Sequence, residues 1–434
     1  NIVKKMIVFS VPIFIANLLQ TSYQIIDSLW VGNLLGANAL GAISVSATVI
    51  FTMLSFIIGI SNATLTVLSQ YRGANDEEGL KRALNAFVFV LSLLTCIVGF
   101  FGILFSSSIL RLLGTPETIF PEAKMYLQVN FFGIVFLFGY NFIITVLRAL
   151  GNSRAPLKFV IVAVVLNTIL DPIFIAVLGL GIQGAAIATV VSQASAFIYG
   201  LYYSMKIAKV PFSRPYIPTK EELWKIFHLG LPSGLSMMVI SGGSMAVMSV
   251  VASFGEEVVA GFGAAQRIDS LLVLPSMTIG TAITSMAGQN IGARAWERVS
   301  QIARTGLLVI ACVAFSISII TFIGAPYFIG LFVNDTETIE FGTSYLRTVA
   351  FFYPFLGVNF VLNGVVRASG AMFPALILNI ISLWVLRFPI TSLFSHLFGE
   401  AGIGMGISTS FAISSMVAAA YYKFGRWRKI RLLD

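Results

Sequence analysis

The sequence Gln-Tyr-Arg-Gly-Ala at residues 70–74 has a counterpart, Gln-Asn-Ile-Gly-Ala, at residues 289–293, and both follow long apolar runs. A second pair has the same spacing: Val-Leu-Arg-Ala-Leu-Gly at residues 146–151 and Val-Val-Arg-Ala-Ser-Gly at residues 365–370. Several motif pairs at one offset, near 219 residues, indicate an internal duplication. The chain is therefore expected to contain two copies of one structural unit.

Each motif closes an apolar run with glycine, arginine or both. Glycine tolerates the left-handed conformation that commonly ends a helix, so Gly73, Gly151, Gly292 and Gly370 are expected to be C-caps. An arginine at such an end, such as Arg148, also faces the negative end of the helix dipole and the inner leaflet.

The sequence between these motifs is strongly apolar. Of its 434 residues, 57% are hydrophobic and 10% are charged, far below the roughly one quarter that is charged in soluble domains. Because the apolar runs reach or exceed the about 20 residues that cross a bilayer, a water-soluble globule is excluded and an all-α polytopic membrane protein is predicted. The twelve predicted spans are 6–32, 43–70, 83–110, 125–147, 157–178, 184–205, 224–254, 258–287, 300–325, 341–365, 373–396 and 402–424.

The charge pattern orients these spans. The chain has 27 Lys and Arg and 18 Asp and Glu, and most basic residues fall in the segments on one side of the membrane; Arg111, Lys124 and Arg347 fall on the other. The positive-inside rule then places both termini in the cytoplasm and requires an even number of spans. The expected location is the cell membrane (plasma or inner membrane). No basic face interleaved with exposed aromatic residues suggests a nucleic-acid partner.

Six spans form one repeat unit, so the two copies enter the membrane in the same direction and are related by an axis along the membrane normal. The prediction is an N-terminal six-helix bundle at residues 1–206, a cytoplasmic linker at 207–222 and a C-terminal six-helix bundle at 223–434. We expect a monomer.

Motifs for catalysis or cofactor binding are missing from the sequence. There is no Gly-rich loop ending in Gly-Lys-Ser/Thr, so ATP hydrolysis by this chain is not expected. The two histidines, His228 and His396, are isolated, and Cys96 and Cys312 lie in apolar runs. We therefore expect no enzyme activity, no metal site and no cofactor.

Ionisable residues inside the spans are costly in hydrocarbon and are functional hypotheses by default. Asn167 and Asp171 share one helix face because they are four residues apart. Asp27 and Asp171 both fall in the outer half of the first bundle. We therefore hypothesise that their carboxyl groups are in contact. The ionisable residues that are not assigned to the segments on either side of the membrane are Asp27, Asp171, Arg267, Asp269 and Arg387.

Each of these residues also has a structural interpretation. Asp171 precedes Pro172 and could satisfy backbone groups at a kink. Arg267 and Asp269 are two residues apart, so each needs a partner other than its neighbour. Arg387 either snorkels outward or lines the cavity of the second bundle.

These residues resemble the multidrug and toxic compound extrusion (MATE) family. The resemblance rests on two parallel six-span repeats, the four motifs above and the stretch Ala-Ala-Gln-Arg-Ile at 264–268, and it covers essentially the whole chain. An Asp in span 1 and the Asn-x-x-x-Asp-Pro pattern of span 5 are similar to the DinF-like, proton-coupled branch. The NorM-like branch has carboxylates in spans 7 and 10, and residues 224–254 and 341–365 contain none. The resemblance therefore favours protons over sodium, which is not excluded.

The resemblance implies antiport of amphipathic, often cationic compounds by alternating access. It makes Asp27 the main protonation site and Asn167 and Asp171 parts of its polar network. Pro12 would be the point where span 1 bends, and Tyr126 would join the network. The residues assigned to substrate binding or gating are Pro12, Gln24, Tyr126, Arg267 and Asp269.

Two other functions stay open at this point. Distant relatives with the same bundles move lipid-linked sugars, but a site for lipid phosphates should be rich in basic residues, and here only Arg267 and Arg387 could serve. An intramembrane enzyme would need a nucleophile with a base, or a metal motif, and the sequence offers neither.

Overall fold

The computed structural model describes residues 1–433, except for the side chains of residues 37, 44 and 56, and within this part every regular element is a helix. Three π-helical segments continue α7, α8 and α14, at Ile173–Val177, Tyr203–Ile207 and Ile381–Arg387. The helices of the first repeat are α1 (Ile2–Leu35), α2 (Ala37–Gly73), α3 (Glu77–Leu104), α4 (Ser106–Leu112), α5 (Phe120–Phe132), α6 (Ile134–Ala149), α7 (Arg154–Pro172) and α8 (Ile182–Tyr202). Those of the second are α9 (Lys220–Ala252), α10 (Glu256–Gly292), α11 (Trp296–Gly330), α12 (Thr336–Ala350), α13 (Tyr353–Ala368), α14 (Met372–Ile380), α15 (Phe388–Phe398) and α16 (Ala401–Phe424).

The structure confirms the all-α membrane class. Among the residues that the structure describes, ten helices are long and apolar enough to cross a bilayer, and two bent helix pairs bring the count to 12 if each pair forms one span. The bent pairs coincide with the predicted fourth and tenth spans, 125–147 and 341–365, and each consists of two helices with a break between them. The axes of α5 and α6 differ by 50°, and those of α12 and α13 differ by 54°.

Each break coincides with a residue that disfavours a continuous helix. At the first, a Cβ atom on Gly133 would lie 2.4 Å from a methyl carbon of Val190, so α8 packs where only glycine fits. At the second, Pro354 lies in the first turn of α13. Proline lacks an N–H and has a fixed φ, so it starts a new helix more readily than it continues one.

The duplication is visible in the backbone. Gly151 and Gly370 have φ values of 91° and 96°, so each is the expected left-handed glycine at the end of its helix, one residue beyond the cap residues Leu150 and Ser369. The expectation was wrong for the other pair, because Gly73 and Gly292 remain the last residues of α2 and α10. There the left-handed residues are Asn75 and Arg294, with φ of 55° and 59°.

The chain forms two compact units. One comprises Val11–Gly230, and the other comprises Asn1–Ser10 together with Leu231–Asp434. These units differ from the predicted bundles in two places: the first ten residues belong to the second unit, and the linker and the start of α9 belong to the first. The unit of residues 11–230 is called the N unit below, and the other is called the C unit.

Each unit has its own apolar core. In the N unit the core is built by α1, α2, α5 and α8, and Val31, Ala42, Leu127 and Ala185 are fully buried in it. The C unit has two cores, one of which buries Trp427 completely. Because these cores lie within single units, each unit can position polar side chains independently.

Candidate functional site

The strongest polar cluster of the N unit joins α1 and α7. Asp27 lies about two turns before the end of α1 and is 8% exposed, and Asn167 and Asp171 on α7 are 0% exposed. The Asp27 side chain is in hydrogen-bonding contact with both Asn167 and Asp171. The structure thus confirms that Asp27 and Asp171 meet.

The local structure of α7 fixes the second half of the cluster. The Asn167 amide nitrogen donates to Asp171 Oδ2 over 3.3 Å, as the spacing of four residues allows. Pro172 directly follows and has no N–H, so the Thr168 carbonyl loses its usual helical donor, and the chain continues as a π-helix from Ile173. Asp171 therefore lies where the helix changes its pitch.

Two further polar side chains complete the cluster, and sequence reasoning did not single them out. The Thr189 hydroxyl on α8 lies 3.2 Å from Asn167 Oδ1 and 3.1 Å from the Ala185 carbonyl. Tyr23 is in hydrogen-bonding contact with Thr189. Tyr23 precedes Asp27 by one helical turn, a spacing that could have pointed to it.

The cluster contains unused hydrogen-bonding capacity. Asp27 Oδ1 and Asp171 Oδ1 are buried and have no hydrogen-bond partner among the described residues. No basic side chain in the described part acts on either carboxyl group. Two ionised carboxylates 4 Å apart repel by about 4 kcal/mol at an effective dielectric constant near 20, and a hydrogen bond between them requires a proton on one. The arrangement is therefore suited to binding one proton or another small cation.

Tyrosine side chains surround the carboxyl groups. Tyr126 on α5 is 7% exposed and interacts electrostatically with Asp27 and Asp171, so the structure brings it to the cluster. Nearby, the side-chain amide of Gln20 on α1 lies 3.5 Å from the hydroxyl of Tyr140 on α6. Gln24 is exposed, and within residues 1–433 no hydrogen bond joins it to this group.

The other sequence candidates lie elsewhere. Pro12 is buried inside α1, fifteen residues or about 22 Å before Asp27. Arg267 and Asp269 belong to the C unit, and each has a partner on another helix or loop: the Arg267 guanidinium lies 5.6 Å from the Phe332 ring centroid, and Asp269 accepts a hydrogen bond from Tyr353.

Comparison with known proteins gives the same architecture. The MatE family model matches residues 12–173 and 232–393, once in each repeat. The Bacillus subtilis proteins named probable multidrug resistance protein YpnP and YoeA are 54% and 30% identical to this chain; the alignments cover 100% and 98% of the chain and 97% and 94% of the relatives.

A solved structure agrees over nearly the full length. A mutant of the Vibrio cholerae MATE transporter VcmN superposes with a TM-score of 0.92 at 25% identity, covering 97% of this chain and 96% of that one. The duplicated family match and the close relatives agree with the two repeats and the membrane helices. The chain therefore belongs to the MATE family of multidrug efflux transporters.

Proposed function

We propose that this transporter exports amphipathic cations in exchange for protons, with Asp27 as the main protonation site. The observation that supports this proposal is the buried contact of Asp27 with Asp171, in which one oxygen of each carboxyl group has no hydrogen-bond partner among the described residues. Such a pair gains from binding a positive charge. A proton and a lipophilic cation can both provide it.

Competition for this site is sufficient for coupling. An ionised Asp27 attracts a cation strongly in a low-dielectric cavity, and its protonation removes that attraction. Asn167 and Asp171 complete the polar network, and Tyr126 adds an apolar wall with a hydroxyl group. Pro12 is where α1 bends when the network takes up a proton, since proline leaves a helical carbonyl without its donor.

The available energy is adequate for one proton per substrate. One charge moving across 100 mV supplies about 2.3 kcal/mol, and one pH unit adds about 1.4 kcal/mol. Moving a monovalent cation outward costs the same amount, about 2.3 kcal/mol, so a one-for-one exchange is electroneutral, and one pH unit sustains a concentration ratio of about ten. The protein performs this exchange as a monomer in the cell membrane, with both termini in the cytoplasm.

Efflux from proteoliposomes tests the proposal. Rhodamine 123, a fluorescent lipophilic cation, is loaded, and proton and sodium gradients are imposed separately on the wild type and Asp27→Asn. Glu117→Gln is the matched control, because it removes one exposed carboxylate outside the cluster. We expect efflux driven by protons in the wild type and the control, and its loss in Asp27→Asn.

Each other outcome has a defined meaning. Efflux that requires sodium contradicts proton coupling, and efflux that survives Asp27→Asn contradicts coupling at Asp27. If no lipophilic cation moves under either gradient, the drug antiport proposal fails, and transport of lipid-linked sugars becomes the function to test.

A further inference from the structure

The C unit contains a second polar cluster, which the proposed mechanism does not use. Asp269 on α10 accepts a 2.6 Å hydrogen bond from the Tyr353 hydroxyl at the start of α13. Arg387, the last residue of the π-helical segment 381–387, interacts electrostatically with Asp269. The cluster therefore brings one carboxylate and one guanidinium near each other on two helices that are long and apolar enough to cross a bilayer. Arg387 lies fifteen residues, or about 22 Å along the helix axis, from the start of α14.

The Arg387 guanidinium is held in place but is not neutralised by direct contact. Its Nε donates to Ser410 Oγ over 3.4 Å, and its central carbon lies 4.9 Å from the Phe411 ring centroid. Within residues 1–433, no ion pair shorter than 4.0 Å forms at this side chain. Both Nη groups thus retain donors, in the fork geometry that matches a carboxylate.

The position of this cluster corresponds to that of the N-unit site. Tyr126 and Tyr345 are 219 residues apart, the offset of the duplication, and are 7% and 5% exposed. Tyr126 interacts with two carboxylates, Asp27 and Asp171, whereas Tyr345 interacts with Asp269 and Arg387. Equivalent places in the two repeats therefore carry different charge: purely acidic in one, mixed in the other.

A mixed pair recognises ligands that the acidic pair repels. An arginine within the membrane is expensive and is a functional hypothesis by default. An anionic group on a substrate would be repelled by Asp27 and Asp171 but can form two parallel hydrogen bonds with Arg387. The cationic group of the same molecule would be attracted by Asp269.

We propose that the C unit contains a binding site for zwitterionic amphipathic compounds, in which Arg387 binds the carboxylate and Asp269 attracts the positive group. The inference deepens the proposed export function, on which it rests, by adding carboxylate-bearing substrates to the cations. Ser410 and Phe411 are positioning residues that orient the guanidinium plane.

A matched pair of dyes tests this site. Rhodamine 123 is a cationic methyl ester, and rhodamine 110 is the corresponding free acid, so the two differ only in the carboxylate. Binding to purified protein in detergent is followed by fluorescence anisotropy. We expect Arg387→Gln to weaken binding of the acid by roughly tenfold or more, since a charged bidentate partner is lost, and not to weaken binding of the ester, which has no carboxylate for the guanidinium to bind.

Two further variants control the measurement. Arg347→Gln removes an exposed guanidinium that also lies near an aromatic ring, 5.3 Å from the Phe322 centroid. This substitution should change the binding of neither dye. Arg387→Lys keeps the positive charge but loses the two parallel donors of the guanidinium, so it should weaken binding of the acid by a smaller factor. This variant preserves the test if Arg387→Gln does not fold.

The outcomes separate this inference from the proposed function. An equal effect of Arg387→Gln on both dyes, no effect on the acid, or a wild type that does not bind the acid overturns the zwitterion site. Rhodamine 123 efflux that is lost in Asp27→Asn upholds the proposed function in each of those cases. A wild type that neither binds nor exports rhodamine 123 contradicts both.

Discussion

The Asn167 side-chain amide links the Asp171 carboxyl group to the Thr189 hydroxyl: its nitrogen lies 3.3 Å from Asp171 Oδ2, and its oxygen lies 3.2 Å from Thr189 Oγ1. An amide accepts through oxygen and donates through nitrogen. Because Thr189 occupies the oxygen, the nitrogen is directed to the carboxyl groups. One amide therefore connects α7 and α8 to the residue pair that we propose for proton coupling.

Replacing Asn167 by leucine should impair transport strongly. The substitution keeps the branching of the side chain but removes the donor to Asp171, and a hydrogen bond to a charged group contributes about 1.5–3 kcal/mol. We expect proton-driven rhodamine 123 efflux to fall roughly tenfold to a hundredfold. Efflux rates from proteoliposomes measure the effect.

Thr189→Val and Thr168→Val are graded controls for that experiment. Thr189→Val removes only the hydroxyl that orients the Asn167 amide. One hydrogen bond of about 1 kcal/mol is lost, so the efflux rate should fall by a few fold. The Thr168 hydroxyl bonds the Val164 carbonyl of its own helix, and Thr168→Val should leave efflux unchanged. Equal rates for Asn167→Leu and Thr168→Val would disprove the role of the amide.

Asp27→Asn should stabilise the protein selectively at high pH. The wild-type pair needs a proton, so its stability falls as pH rises and the proton becomes scarce. With asparagine at position 27, one carboxyl group remains and the amide can donate to it. We expect the Tm of the variant to exceed that of the wild type at pH 9 and to match it near pH 5.5.

Thermal unfolding followed by tryptophan fluorescence between these pH values measures the difference. Glu117→Gln should follow the wild type at every pH, because its carboxylate is exposed. A constant difference between Asp27→Asn and the wild type across the range would show that no proton is shared.

The spans and the duplication could be predicted because the bilayer imposes them on composition. Length, apolar runs and the positions of arginine are local properties of the chain, and so is the spacing of Asn167 and Asp171. The bend at Gly133 could not be predicted, since it depends on Val190 of another helix. Contact between Asp27 and Asp171 remained a hypothesis for the same reason: only tertiary packing joins residues so distant in sequence.

The linker offers a third prediction, which concerns its attachment to the N unit. The Asn85 side chain donates to the Tyr216 carbonyl over 3.0 Å and accepts from the Tyr216 N–H over 3.2 Å. Asn85→Ala removes both bonds, worth about 1 kcal/mol each. We expect chymotrypsin to cleave after the exposed Tyr216 roughly tenfold faster in the variant.

The control for the linker is Asn290→Ala. The Asn290 side chain donates only to the Met286 carbonyl of its own helix in the contacts that the structure describes, so its loss should not change cleavage after Tyr216. If Asn85→Ala and Asn290→Ala are cleaved equally fast, the linker is not held by Asn85.

The bend between α5 and α6 gives the last prediction. A methyl group at Gly133 would lie 2.4 Å and 2.7 Å from the two methyl carbons of Val190, so Gly133→Ala should cost roughly 1–3 kcal/mol through overpacking and lower the Tm. Adding Val190→Ala removes both methyl carbons and leaves the Val190 Cβ atom 3.1 Å away. The second substitution should therefore restore most of the lost stability. Gly263→Ala is the control, because open space surrounds its Cβ position and alanine favours a helix by up to about 1 kcal/mol. If Gly133→Ala proves as well tolerated as Gly263→Ala, close packing of α8 is not what breaks this span, and the bend must be maintained by the bonds of α5 and α6 themselves.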